Sequence, residues 1–139
     1  MSFAKKHIED GEYDEAIAAA TKSIEDGDVG PEPLFDRATA YDLAERYLEA
    51  VTDFEAAIAQ NTREQEIDPF TIDDAYFSAL LSAARKQAES DVAKGVALLQ
   101  RYMQVAPKGE HVADCQDWQK RLEGKMPSLL DKTKNLDAV

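Results

Sequence analysis

The chain has 139 residues, enough for one domain to bury a contiguous core, and 44% of them are apolar, as in globular rather than disordered proteins. Its net charge of −12 is uneven: residues 1–66 hold 17 acidic and 6 basic side chains, residues 67–139 hold 11 and 10. Nucleic-acid binding needs a positive stripe that releases phosphate counterions, so this balance argues against it.

A single cysteine, Cys115, rules out an intrachain disulfide framework and fits a reducing compartment. The opening stretch MSFAKKHIEDGEYDE lacks the apolar core of a secretory signal. No apolar run approaches the ~20 residues that span a bilayer, so a cytoplasmic protein without membrane insertion is expected.

Helix formers dominate from residue 2 to 123, apolar residues recur at three and four, and no stretch alternates as a strand would. In chain order the pattern predicts helices over 2–10, 12–26, 32–44, 46–60, 71–88, 90–105 and 110–123. Gly27, Gly30, Pro31 and Pro33 separate the first pair from the second, with Pro33 suited to a first helical turn. Residues 61–70 form a longer connection, expected to fold Ile67 and Phe70 back against the helices. Thr71 with Asp74 resembles an N-cap, Ser90 is placed to cap the next helix, and Pro107 and Gly109 end it. The tail, 124–139, is lysine-rich and expected to be exposed.

One pattern is written twice. Tyr13-x2-Ala16-Ile17 returns as Tyr47-x2-Ala50-Val51, Ile24 falls on Ile58, and Gly11 on Glu45, each pair 34 residues apart. A fixed period of this length means stacked copies of one small unit. The expectation is an all-α protein of antiparallel helix hairpins: units over about 1–28, 31–62 and 71–107, closed by a capping helix over 110–123.

The second unit carries a resemblance to a known family. Leu34-x2-Arg37-Ala38-x2-Tyr41 followed by Ala50-x3-Phe54-x2-Ala57 resembles the tetratricopeptide repeat. The likeness departs at Arg37, where leucine is usual, and at Thr62, where proline is usual. In the first unit Ala20 stands where the family has phenylalanine, and the leading helix is short. The third unit ends correctly, at Pro107, after an offset absorbed by 61–70. The helix with Val112, Trp118 and Leu122 resembles the solvating cap of such arrays. The resemblance implies a superhelix of about three repeats.

It also implies where a partner lies. In tetratricopeptide arrays the first helix of each unit lines a concave groove that holds peptides or partner helices. Carried onto this chain, the groove positions are Glu32, Phe35, Thr39, Asp42 and Leu43 in the second unit, and Lys5 and Glu9 in the first. Counting back from Pro107 gives Phe77, Leu80 and Ala84 in the third. Arrays that clamp acidic chaperone tails use basic residues and asparagine where this chain has Asp36, Phe77 and Leu81, so that subclass is excluded.

Catalytic constellations are wanting. His111 and Cys115 have the spacing of a metal pair, but two ligands do not make a site. The six glycines form neither a phosphate loop nor a nucleophile elbow. Neither enzyme activity, metal nor cofactor is expected. The expected function is a non-catalytic adaptor that binds an apolar, basic-flanked protein segment. The alternative is a structural scaffold subunit that assembles with itself or within a larger complex.

Overall fold

A computed structural model of the chain describes residues 3–62 and 66–124. The described residues are all-α: helices α1 (Phe3–Glu9), α2 (Tyr13–Glu25), α3 (Pro31–Leu43), α4 (Tyr47–Gln60), α5 (Pro69–Ala88), α6 (Val92–Val105) and α7 (Val112–Leu122). No strand occurs among them. The expected tail falls almost wholly outside the described residues. None of the helices is long and apolar enough to cross a membrane.

Two caps differ from expectation. Asp68, not Thr71, starts α5: its Oδ2 accepts both the Thr71 amide and the Thr71 hydroxyl at 3.0 Å. Asp91, not Ser90, caps α6 by accepting the Ala93 amide at 3.0 Å, while the Ser90 hydroxyl donates back to the Gln87 carbonyl. A carboxylate accepts an orphan amide as a hydroxyl does and also meets the positive end of the helix dipole, a gain of roughly 0.3–1 kcal/mol. Of the two residues expected to fold back, Ile67 is half-buried. Asn61 brackets Ile67, donating to its carbonyl at 2.8 Å and accepting its amide at 3.1 Å. Phe70, in the first turn of α5, is instead 61% exposed.

The chain forms two compact units, Met1–Ala83 and Ala84–Val139. Their division falls inside α5, within the stretch that the sequence reads as a third repeat.

In the first unit α1 packs on α2, α2 on α3, α3 on α4, and α1 also reaches α3. Small residues make this approach close: Ala4, Ala16, Ala20, Ala38, Ala50 and Ala57 are buried, and Phe54 fills the space among them. The 34-residue period extends to the backbone. At the first turn the amides of Gly11, Glu12 and Ala16 donate to the carbonyls of Ile8, His7 and Glu12. At the second, Glu45, Arg46 and Ala50 donate to Asp42, Tyr41 and Arg46. Each bond has its counterpart 34 residues on.

Side chains change over this constant frame. His7 pairs with Glu12 at 2.7 Å, whereas at the equivalent positions the Arg46 guanidinium stacks 4.8 Å above the half-buried Tyr41 ring. Arg37 holds the second hairpin to the first. Its Nε and Nη2 donate to both carboxylate oxygens of Asp53, at 2.6 and 2.9 Å, and its Nη1 donates to Thr21 Oγ1 at 3.1 Å. The position where the likeness departs from leucine is therefore a half-buried junction between hairpins.

In the second unit α6 packs on α7. Gly95 lets α6 lie against the end of α5: a Cβ there would meet the Ala84 carbonyl oxygen at 2.5 Å and the Ala88 Cβ at 2.8 Å. Leu99, Tyr102 and Cys115 are fully buried. Trp118 is half-buried, with the guanidinium groups of Arg85 and Arg121 each 4.9 Å from its ring.

The shared turn geometry makes Gly11 and Glu45 both left-handed, with φ of 76° and 62°. Glycine adopts this conformation without strain, whereas a side chain costs roughly 1–2 kcal/mol. Glu45→Gly is expected to stabilise the chain by about 1 kcal/mol, offset slightly by unfolded-state entropy, and to raise the urea midpoint. A lowered midpoint would count against equivalence of the two turns.

Candidate functional site

Five of the expected groove residues share α3, at spacings that place them along one stripe. Phe35 is half-buried: its ring lies edge-on to buried Phe54, centroids 5.6 Å apart, with the remainder facing solvent. Thr39 is also half-buried and turns its hydroxyl inward, donating to the Phe35 carbonyl at 2.9 Å. Leu43 is 46% exposed. Asp42 is half-buried, and burial pushes its carboxyl above the ordinary value of 3.8.

Two stripes meet where α1 approaches α3. Lys5 donates to Glu32 at 2.9 Å, with both side chains about half exposed, so residues from successive hairpins are brought together. Glu32 raises the Lys5 ammonium above its usual value, chiefly through this hydrogen bond, and the charge of Asp36 adds to it. Glu9 is exposed on α1.

The third-unit assignments fare differently. Leu80 and Ala84 are fully buried and are not surface groove residues. Ile72, Tyr76, Ala79, Leu80, Ala83 and Ala84 are all buried, at the three-and-four spacing of a core stripe. The register counted back from Pro107 places interior positions on the groove. Tyr76 anchors this stripe to α4, its hydroxyl donating to Glu55 at 2.6 Å. Phe77, beside the stripe, is half-buried.

A pocket of 530 Å³ lies between α1, α2 and the start of α3, and of its lining only Glu32 is among the expected site residues. Phe3, Ala4, Ala19, Ala20 and Pro33 supply its apolar wall, and Ser23, Asp28, Glu32, Asp36 and Glu66 the polar one. Asp36 is buried, at 4% exposure, whereas Phe3 is 80% exposed. The sequence did hold a signal: Ala20 takes the place where the next hairpin has Phe54. A second, shallower pocket of 370 Å³ lies over Arg37, Tyr41, Leu48, Glu49, Thr52 and Asp53, where the ion pair offsets its own charge.

Of the spaced pair His111 and Cys115, the thiol is wholly buried on α7. The His111 ring nitrogen Nδ1 lies 2.8 Å from Asp114 Oδ2, and the His111 amide donates to the Tyr102 hydroxyl at 3.1 Å. Comparison with protein-family models, with curated proteins and with solved structures finds no match to this chain.

The raised Asp42 carboxyl has a signed consequence. The folded chain holds this proton more tightly than the unfolded chain, so ionisation opposes folding as pH rises from 3.8 through the folded value, and the penalty is constant above it. Asp42→Asn is expected to be more stable than wild type at neutral pH. The gain should vanish near pH 3, where both states carry the proton. Urea midpoints at the two pH values check this; equal gains at both would assign the effect to something other than ionisation.

Proposed function

We propose that the chain is a non-catalytic protein-interaction module of the tetratricopeptide kind. The face shared by α1 and α3 holds a segment of a partner protein. The observation that carries this reading is the 34-residue duplication, repeated bond for bond in the two turns, with the face of α3 leaving Phe35 and Leu43 partly in water. A frame of stacked hairpins builds a surface rather than a cleft with chemistry. Leu43 and part of Phe35 offer apolar area, and Glu32, Asp42 and the −11 balance of residues 1–66 favour a segment with basic flanks. A cytoplasmic setting accords with one buried cysteine.

Self-assembly into a scaffold is the second reading. It is favoured by the near-neutral balance of residues 67–139, which a strongly acidic half of another copy would not repel.

Apolar peptides with and without basic flanks, titrated against wild type and Phe35→Ala, separate these readings. Binding to the wild type is expected to weaken as salt rises from about 50 to about 300 mM, as screening shortens the reach of surface charge. Phe35→Ala is expected to weaken it about tenfold, a loss of roughly 1.4 kcal/mol. Equal affinity in all cases overturns the assignment of the face. Light scattering on the same samples showing a monomeric mass counts against the scaffold.

A further inference from the structure

The two hairpins share a backbone frame but fill it differently, and the difference makes the pocket. Thirty-four residues separate Ala20 from Phe54, Phe3 from Arg37 and Ala19 from Asp53. In the second hairpin these positions hold an aromatic ring and a guanidinium clasped by a carboxylate. In the first they hold two methyl groups and a phenylalanine left 80% exposed. Space that the second hairpin fills with its own side chains is open in the first.

The chemistry of the opening is specific. Asp28, Glu32, Asp36 and Glu66 line it, and no cation does so among the described residues. Lys5 sits outside the lining and donates to Glu32 at its edge. Its ammonium is held above its usual value by Glu32 and by Asp36, so the field here favours a positive group. The apolar wall suits the hydrocarbon stem that a long basic side chain carries behind its charge. A volume of 530 Å³ exceeds what such a side chain needs, leaving room for a neighbouring apolar group over Phe3.

We propose that this pocket receives an arginine or lysine of the partner segment, with the residue beside it packed on the exposed ring of Phe3. Arg37 on Asp53 is the internal precedent, since the repeat frame already seats a guanidinium at the equivalent place. The incoming cation lies against the Glu32 and Glu66 carboxylates at the mouth of the pocket, and an arginine there engages a carboxylate through two donors. The proposal rests on the protein-interaction reading above and names the chemistry that the partner brings.

Random-peptide display on the full chain, followed by titration of one selected peptide, tests it. Selected peptides are expected to carry an arginine or lysine next to an apolar residue. Ala20→Phe, which restores the ring of the second hairpin, is expected to keep the wild-type fold by circular dichroism and to weaken the peptide at least tenfold. Glu66→Gln, at an exposed position, is expected to weaken it about threefold, and stands as the readout should Ala20→Phe not fold. Selected peptides without basic residues, or unchanged affinity in the folded variants, overturn the pocket assignment. In that event a weakened Phe35→Ala leaves the wider reading standing. Failure to select any peptide overturns both.

Discussion

Arg37 is the constraint around which the first unit is organised. Its three nitrogens reach Asp53 on α4 and Thr21 on α2 from a position on α3, so one side chain ties three helices. The pair is largely removed from water, with side-chain exposures of 21% and 6%. Desolvating two charges costs several kcal/mol each, and mutual attraction only offsets this when geometry and remaining hydrogen bonds are good. Both carboxylate oxygens are used, and no buried side-chain polar atom among the described residues lacks a partner. Asp53 also holds the guanidinium above its usual value, so Arg37 stays charged. Such a pair contributes little to net stability beyond what well-packed apolar residues would, yet losing one partner is costly.

The same pair explains why two hairpins with the same turn hydrogen bonds are filled differently. The second hairpin spends its interior volume on Phe54 and the Arg37–Asp53 bridge and closes on itself. The first, with Ala19 and Ala20 at the matching places, closes its turn by the same hydrogen bonds but leaves a pocket beside them. Charge follows volume. The carboxylate of Asp53 is answered by Arg37, while those of Asp28 and Glu66 edge an opening. A repeat thus supplies a common frame, and local loss of bulk in one copy leaves part of that frame open as an acid-lined pocket.

Much of the architecture was legible in the sequence because it is periodic. The helices follow from apolar spacing, and the breaks follow from Gly27, Gly30, Pro31 and the three-residue turns. What was not legible lies off the period. Arg37 and Asp53 are sixteen residues apart, a separation that no helix places side by side, so their pairing needed the fold. Asp68 and Asp91 stand next to other capping residues, and composition alone does not choose between them. Phe70 follows the Asp68 cap into the first turn of α5, which carries its ring outward. In the third unit a proline was taken as the ruler, although the buried stripe through Tyr76, Leu80 and Ala84 sets the register. Of the candidate surface, the α3 stripe came from the repeat, whereas Glu66 reaches the pocket across an aperiodic connection.

The central claim is that one buried fork joins the hairpins, and a double-mutant cycle on urea unfolding tests it most directly. Arg37→Met and Asp53→Leu are each expected to cost about 3–5 kcal/mol, because each strands a buried charge. The double variant, with neither charge, is expected to lie within about 1–2 kcal/mol of wild type, giving a coupling of several kcal/mol. Single losses below about 1 kcal/mol that simply add in the double variant would contradict the account.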